Sequence, residues 1–537
     1  MNANNNKSGF RIFLWTVLGV VAGFYLGRFY ILNNMQYLGN NKIDTILNII
    51  DQNYVDTVNM EQLIDNTTHN IIKELDPHSV LIPAGEIDLV TDKLEGSFSG
   101  IGVSFNMLSD TILILTVIHK GPAEKAGILP YDRIISINDS VVAGKGINDQ
   151  EIIRTLRGTK NSKVKLGIKR SGEDDLLYFD VTRGDVPDYS IEVAYKVSDG
   201  IGYMLIDDFG RTTYNEFITA IAKLRKEGCE KFIIDLRGNT GGYMDAAIHM
   251  LNEFIPSGQS ILYYEGKAFK RQEFRANGSG SCQNAPVVVL VDEASASASE
   301  IFAGAIQDND RGLIIGRRTF GKGLVQSPIK LKDGSELRLT IARYYTPSGR
   351  CIQKQYELGN TDDYNLDLEN RYLHGEFDYA DSIKVADTLA YKTLHGRTVY
   401  GGGGIMPDIF IPRDTSNITS YYVAAYRSGA IYRYVLEYSD RHHSKLASFK
   451  TYQDLYAYLK TQPLLNEFTD FAETQGMKKR PTLIQISGPL IEKYISALIV
   501  RNFFNNEGYY PIILTDDVAF LRALKEISNN DGRPVIP

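Results

Sequence analysis

The chain is 537 residues long, with 43% hydrophobic residues, 23% charged residues and a formal net charge of −7 at pH 7. This length exceeds what one hydrophobic core supports, so we expect three or four domains. The composition is that of an ordinary folded protein, and the acidic balance argues against nucleic-acid binding because it supplies no basic field for phosphates. Three widely spaced cysteines exclude a disulfide framework and a C-x-x-C metal pair.

The N-terminal segment is uncharged and mostly apolar over residues 12–27. If Arg28 snorkels, the apolar stretch extends to about 20 residues and can span a bilayer as a helix. Lys7 and Arg11 precede it, which predicts a cytoplasmic N-terminus and export of the rest. A cleaved signal peptide is the alternative, although a clear A-x-A arrangement is missing. We therefore expect residues 1–33 to be a membrane anchor or signal segment. The expected location is a bacterial-type inner membrane, with the catalytic part in the periplasm or otherwise outside the cytoplasm.

Residues 34–96 and 97–184 have different patterns. The first range has apolar residues at helical spacing, interrupted at Asp76-Pro77, and predicts a lead-in of two or three helices. The second has short strands punctuated by glycine, which predicts a small β-rich domain. Its expected strands lie at residues 112–118, 133–138, 163–169 and 177–181.

Three ordered segments of the β-rich domain resemble a PDZ domain. They are Gly100-Ile101-Gly102-Val103, then residues 121–127, then residues 132–138. In such a domain, backbone N–H groups of the first loop bind a peptide's terminal carboxylate, and the adjoining strand edge pairs with the peptide. Ile101 and Val103 would line the pocket for the last side chain. A glycine pair before a strand is, by itself, more often a bulge or a turn.

Residues 185–414 alternate between strands and helical patterns, and residues 415–537 are mainly helical in pattern. Alternation of this kind predicts an α/β layer structure with crossover helices. The C-terminal residues predict a helical domain of unknown purpose. The expected strands are residues 201–206, 231–236, 286–291 and 312–315, and the expected helices are residues 213–227, 243–254 and 297–308.

A serine-rich turn follows the third of these strands. Residues 286–291 are apolar without alternation, as expected for a strand buried on both faces. Ser297 then begins a helix, where the peptide dipoles favour developing negative charge on a nucleophile. The alternative is that the serines are only N-caps, since serine is a preferred capping residue.

A serine nucleophile needs a base, and no well-placed histidine is near. Lys322, between Gly321 and Gly323 and beyond the next expected strand, is the alternative. A lysine acts as a base only if burial or neighbours lower its pKa from about 10.4. An exposed lysine in a glycine turn is the commoner outcome.

The segment Asp235–Gly242 ends one buried strand with consecutive glycines before a helix. Such a turn lets backbone N–H groups face a carbonyl oxygen as it gains charge. The N–H of Ala298, next to Ser297, is the expected second donor. A simple helix-entry turn and a phosphate-binding loop are alternatives, and the latter is weak because neither phosphate-loop motif is in the right place.

The order of these motifs resembles the carboxy-terminal processing, or tail-specific, proteases. The resemblance runs from about Leu75 to Asp408, and it rests on the PDZ-like segments together with five further motifs. These are Asp235–Gly242, Ser295–Ala305, Thr319–Gln326, Tyr345–Arg350 and Gly401–Asp408. The resemblance implies a crotonase-like α/β serine protease core with an inserted PDZ domain, a Ser/Lys mechanism, and no metal or cofactor.

Carried over residue by residue, the resemblance implies a role for each matching position. Ser297 would be the nucleophile, Lys322 the general base and Gln326 the residue that orients the lysine. Gly241 and Ala298 match the oxyanion positions, and Asp308 matches an acidic position of some members. Thr240 departs from the family, which often has proline there.

The function we expect is that of a serine endopeptidase that acts through an acyl-enzyme. Its protein or peptide substrates would be recognised through their free C-termini by the PDZ domain. The alternative is a membrane-tethered PDZ adaptor with an inactive hydrolase-like core. An acyl-CoA enzyme is suggested only by the expected core fold, which does not fix function. The sequence leaves the oligomeric state open, with a homo-oligomer as one possibility.

Overall fold

The structure is a computed structural model that describes residues 42–108, 110–118, 120–170, 172–383 and 387–536, together with residues 15, 16, 19, 21 and 23–25. The predicted membrane segment thus lies mostly outside the described residues. The chain divides into two compact units, Met1–Leu75 and Asp76–Pro537. In the first unit, the helices Lys42–Asn53 and Met60–Lys73 have no buried residues.

The β-rich domain forms a six-stranded antiparallel sheet whose apolar side chains face two short helices, Pro122–Ala126 and Asp149–Leu156. Strand Val103–Leu108 lies at one edge of the sheet. The chain enters and leaves the domain side by side, because Ser97–Gly100 pairs antiparallel with Gly184–Pro187. The other strands are Thr111–Val117, Arg133–Ile137, Ser140–Val141, Lys163–Lys169 and Leu177–Thr182.

A second six-stranded sheet, the central sheet, forms the α/β part of the second unit. Only its first two strands are antiparallel, and the others run parallel. Its strands, in spatial order, are Ile191–Ser198, Ile201–Ile206, Lys231–Asp235, Val287–Val291, Leu313–Gly316 and Ile409–Phe410. The crossover helices are Thr213–Lys226, Met244–Phe254 and Ala298–Asp308. The predicted strands and helices of this part agree with these bounds to within two residues.

A five-stranded antiparallel sheet, the outer sheet, lies on the other side of helix Ala298–Asp308. Every residue of this helix is buried, because it contacts both the central sheet and strand Ser260–Glu265 of the outer sheet. This sandwich positions the start of the helix between two sheets. The other outer strands are Val80–Ile82, Gln272–Arg275, Leu324–Lys330 and Glu336–Tyr345.

Shorter elements connect these layers. Helix Ile87–Glu95 lies between the outer-sheet strand Val80–Ile82 and the β-rich domain, so the predicted lead-in of residues 34–96 is shared between the two units. The others are the helices Asp362–Asn365 and Asp367–Leu373, the strands Ala390–Lys392 and Thr398–Tyr400, and the 3-10 turns Ala84–Glu86, Ala380–Ser382, Asp387–Leu389 and Leu514–Asp516.

The C-terminal residues are helical, as the sequence predicts, and pack around their own apolar core. Among the described residues, one segment, Pro481–Asp516, is long and apolar enough to cross a membrane, but half of its most apolar window is buried by the protein. The last helix, Val518–Asn530, leaves this core and packs on the central sheet. The other helices are Ser420–Arg427, Ala430–Arg441, His443–Leu446, Tyr452–Leu459, Leu464–Thr474 and Pro481–Ile513.

Candidate active site

Ser297 lies where the buried strand Val287–Val291 turns into helix Ala298–Asp308. Its φ of 55° and ψ of −112° are uncommon for a residue with a side chain, and strained residues of this kind cluster at active sites. Gly241 lies directly against it, since a Cβ on Gly241 would come within 2.7 Å of the Ser297 Cβ. Only glycine therefore fits beside this serine.

The fully buried Glu300 ties Ser297 to the lysine loop, Thr319–Gly323. Its Oε2 accepts the backbone N–H groups of Ser297 (2.9 Å) and Lys322 (2.8 Å). Its Oε1 accepts the Thr319 hydroxyl (2.5 Å) and the Gly321 N–H (2.7 Å). Burial raises the pKa of Glu300 above its ordinary value, and these four bonds offset only part of that increase. All four partners donate, which suits an ionised carboxylate. The two candidate catalytic residues are thus bound to one carboxylate oxygen.

Lys322 is mostly buried, and this burial lowers the pKa of its ammonium group below the ordinary value near 10.5. Its Nζ donates to Gln326 Oε1 at 3.1 Å. Tyr344 Oη lies 2.9 Å from the Lys322 carbonyl oxygen and 3.2 Å from that of Ser297, so it joins the two backbones a second time. Within the part of the chain that the structure describes, no hydrogen bond joins Lys322 Nζ to Ser297 Oγ.

Gln326 lies on the outer-sheet strand Leu324–Lys330, and its Nε2 donates to the carbonyl oxygen of His78. The His78 segment is fixed in turn by Asp76, whose Oδ1 accepts the N–H of His78 at 3.0 Å. The imidazole of His78 lies 2.7 Å from Tyr364 Oη. Burial, and then the positive charge of Lys322, lower the pKa of His78 to about 4. The ring therefore stays neutral at neutral pH.

The glycine loop, Arg237–Gly242, is hydrogen-bonded to the serine turn through Asn239. The Asn239 carbonyl oxygen accepts the Ala296 N–H (3.0 Å) and the Ser299 hydroxyl (2.9 Å). Gly241 and Ala298, the two expected oxyanion residues, are neighbours, because a Cβ on Gly241 would lie 3.0 Å from the Ala298 nitrogen. In this structure the Gly241 N–H donates to Asn239 Oδ1 at 2.8 Å.

Asp308 lies at the far end of the helix that Ser297 begins. It forms an ion pair of 2.7 Å with Arg350, and neither side chain is exposed. Its other oxygen accepts the Ser348 N–H at 3.1 Å. The contacts of Asp308 are therefore those of a structural ion pair.

The glycine segment of the β-rich domain lines a groove of about 320 Å³. Gly102 has a φ of +77°, and a Cβ there would lie 3.2 Å from the Pro122 ring, so glycine is required. Gly100, Ile101, Gly102 and Val103 form one wall, and helix Asp149–Leu156 contributes Ile153 and Leu156 to the other. The groove thus combines a backbone loop, an apolar lining and an edge strand.

Sequence reasoning did not assign roles to several residues of this site. Asp76 and His78 stand where the family resemblance begins, at about Leu75, and Glu300 stands in the serine motif, Ser295–Ala305. Ser297 and Glu300 have the spacing of a helix capping box. Nothing local shows that Glu300 also accepts from Gly321, 21 residues later, or that the His78 carbonyl oxygen accepts from Gln326. The sequence around Tyr344 gave no indication that its hydroxyl would contact the backbones of Ser297 and Lys322.

Comparison with known families agrees with this geometry. A model of peptidase family S41 matches residues 200–366, a PDZ domain model matches residues 99–181, and a model of a family of unknown function matches residues 421–505. The first two matches cover the serine and lysine loops and the groove, which define a serine peptidase with a PDZ domain.

The relatives are more specific. Carboxy-terminal processing protease CtpA of Bacillus subtilis is 34% identical over 372 residues, which are 66% of this chain and 78% of the relative. Carboxy-terminal processing protease CtpB of the same organism is 34% identical over 59% of this chain and 66% of the relative. A probable CtpA-like serine protease of Staphylococcus aureus is 32% identical over 64% and 68%. This chain belongs to the carboxy-terminal processing proteases of peptidase family S41.

Solved structures give weaker matches. The photosystem II D1 C-terminal processing protease is 23% identical, with a TM-score of 0.34, over 68% of this chain and 91% of that one. The PDZ domain of a carboxy-terminal protease from Vibrio cholerae in complex with peptide is 29% identical, with a TM-score of 0.16, over 17% and 97%.

Proposed function

We propose that Ser297 is the nucleophile of this serine protease, that Lys322 is its general base and that Gln326 orients the lysine. The main support is the lowered pKa of a buried lysine whose backbone shares the Glu300 Oε2 acceptor with the serine. Lowering this pKa increases the fraction of free amine, which is the form that accepts a proton. The adaptor with an inactive core is not favoured, because every residue type of the dyad chemistry is present in a protease family member.

The reaction we propose passes through an acyl-enzyme. Neutral Lys322 takes the Ser297 hydroxyl proton as Oγ attacks the scissile carbonyl carbon, and the resulting ammonium then protonates the leaving amine. Water repeats the sequence to release the acyl group. Backbone N–H groups of Gly241 and Ala298 stabilise the oxyanion. Because the Gly241 N–H donates to Asn239 Oδ1 in this structure, it exchanges that acceptor for the oxyanion during turnover.

The PDZ groove is the proposed recognition site for the substrate's free C-terminus. Strand Val103–Leu108 lies at a sheet edge, so an extended peptide can add to it as a further strand. The N–H groups of Gly100–Val103 would bind the terminal carboxylate, and Ile101 and Ile153 would contact the last apolar side chain. This arrangement separates recognition of the C-terminus from the site of cleavage.

The remaining proposals concern architecture and location. We assign residues 97–184 to the PDZ domain and 185–414 to a crotonase-like protease core, followed by the C-terminal helical domain. Residues 1–33 would anchor the chain in a membrane, with the catalytic part outside the cytoplasm. The arrangement of parallel strands and crossover helices supports the core assignment.

The decisive experiment measures cleavage of an unfolded protein by the chain and by two variants. Ser297→Ala and Lys322→Ala should each abolish hydrolysis, while Lys330→Ala, an exposed lysine on the strand that bears Gln326, should leave it unchanged. Near-normal hydrolysis by either catalytic variant contradicts the assignment. In the same assay, amidation of the substrate's C-terminus should raise KM if the groove binds the carboxylate.

A further inference from the structure

The last helix, Val518–Asn530 (the C-terminal helix), is fixed at both ends to one strand of the central sheet. Before its first turn, Asp517 Oδ2 accepts from Arg237 Nη1 at 2.8 Å. After its last turn, Asp531 Oδ1 accepts from Lys231 Nζ at 2.6 Å. Lys231 begins strand Lys231–Asp235, and Arg237 follows the end of that strand. The helix therefore runs antiparallel to the strand with an ion pair at each end.

Between the two ion pairs, the helix covers one face of the central sheet. Phe520 packs edge-on against the buried Tyr203 ring, with 5.4 Å between ring centroids. Further contacts are apolar and fully buried on the sheet side. The cluster includes Ala519, Ala523 and Ile527 of the helix with Ile233, Val288, Leu290 and Ile315 of the sheet. Removing this area from water accounts for the docking of the helix, so neither ion pair is needed for that purpose alone.

The two ion pairs differ in what lies beside them. Lys231 is at the strand end remote from Ser297, but Arg237 begins the glycine loop that contains Gly241. The guanidinium of Arg237 is bound on one side by Asp235, with Nη2 to Oδ2 at 2.6 Å, and on the other by Asp517. Asp235 is itself buried and accepts the Tyr203 hydroxyl at 2.7 Å. The arginine is thus clamped between a carboxylate of the sheet and one of the C-terminal helical domain.

We propose that Asp517 is a positioning residue for peptide hydrolysis, because it fixes Arg237 and hence the glycine loop that presents the Gly241 N–H to the oxyanion. This inference rests on the proposed role of Gly241. It gives the C-terminal helical domain a part in catalysis, since Asp517 lies far outside the residues that the S41 model matches. Because it acts through the position of the glycine loop, Asp517 would affect stabilisation of the transition state and hardly affect substrate binding.

The test is the variant Asp517→Asn, with Asp531→Asn as its matched control. In the wild-type chain, Asp517 Oδ1 caps the helix by accepting the Phe520 N–H at 2.7 Å, and asparagine preserves such a cap while removing the charge. Asp531 has a φ of 53°, which asparagine also tolerates. Each variant therefore breaks one ion pair and leaves the backbone conformation accessible.

We expect Asp517→Asn to lower kcat at least about tenfold with KM changed less than about twofold, since complete loss of one oxyanion donor costs about 10²–10³ in kcat. Both variants should lower the melting temperature by similar amounts, because each loses one ion pair. Asp531→Asn, however, should leave kcat unchanged. The inference is overturned if Asp517→Asn has wild-type kcat, or if Asp531→Asn lowers kcat equally. The Ser297→Ala variant distinguishes this failure from failure of the proposed function, because it reports on the nucleophile alone.

Discussion

The proposed catalytic site and the PDZ groove are built from different kinds of residue. The proposed catalytic site is a largely buried set of polar groups from four separate segments, namely the 76–79 segment and the glycine, serine and lysine loops. The groove is an open, mainly apolar cleft that uses two short continuous segments, residues 98–105 and 149–157. Proton transfer requires shielded, mutually hydrogen-bonded groups, whereas recognition of a variable chain end requires an accessible strand edge.

The difference also predicts how the two regions respond to mutation. A buried donor left without an acceptor costs about 1–3 kcal/mol, so one change in the catalytic network affects several partners at once. The groove loses only the area that one side chain covers. We therefore expect large effects on kcat in the first region and moderate effects on KM in the second.

The largest effect is expected for Glu300→Gln. An amide offers one oxygen acceptor in place of two, so two of the four donors now facing Glu300 would meet an NH2 group. We expect kcat to fall about 10²-fold or more, with a lower melting temperature. The control is Glu293→Gln, which removes a partly exposed ion pair with Arg317 and should change kcat little. Equal activity of the two variants would refute the role of the Glu300 network.

The pH dependence of kcat/KM should report on Lys322. In the proposed mechanism the free amine of Lys322 is the active form, so activity should be present above the Lys322 pKa and lost as pH falls through it, about tenfold per unit once the lysine is protonated. Burial lowers this pKa, the negative charges of Glu300 and Asp76 raise it, and Arg338 lowers it. We expect an ionisation below 10.5 in a pH–rate profile. A profile in which kcat/KM is constant from low pH up to pH 10.5, with no ionisation in that range, would contradict the lysine base.

In the groove, Ile153→Gln should raise KM about fivefold for substrates with an apolar C-terminal residue, with kcat unchanged. The side chain is partly exposed at the groove wall, and loss of about 1 kcal/mol of apolar contact corresponds to this factor. Arg154→Gln, the next residue on the same helix but outside the groove lining, is the control. A KM increase of the same size in both variants would point to the helix and not to the groove.

The smallest effect is expected where the PDZ domain contacts the C-terminal helical domain. Arg133 and Asp440 form an ion pair of 2.6 Å in which both side chains are more than one-third exposed. Such pairs contribute about 0.2–1 kcal/mol, so Arg133→Asp should lower the melting temperature slightly and leave kcat unchanged. The double variant Arg133→Asp with Asp440→Arg should restore it. Failure of this restoration would show that the pair makes no specific contribution.

Much of the central fold could be predicted from the sequence because its elements have local signals. The unbroken apolar run before the serine turn indicates a doubly buried strand, and the glycines mark turns that a side chain cannot occupy. The roles proposed for Ser297, Lys322 and Gln326 come from ordered motifs and a family resemblance. The role of Glu300 and the support of Gln326 by His78 could not be predicted, because Glu300 accepts from a separate loop, with Gly321 lying 21 residues later, and the Gln326–His78 contact joins residues 248 apart in the chain. The docking of the final helix on the central sheet had no local signal either.

The two chain segments that join the PDZ domain to the protease lie side by side. Ser97 pairs with Pro187 at the boundary of the PDZ domain, so the polypeptide leaves the protease core and returns to it at nearly the same point. A domain inserted through two adjacent antiparallel segments can be exchanged, lost or replaced without changing the topology of the protease core. Substrate choice can therefore diversify in this architecture while the hydrolytic machinery keeps its own connectivity.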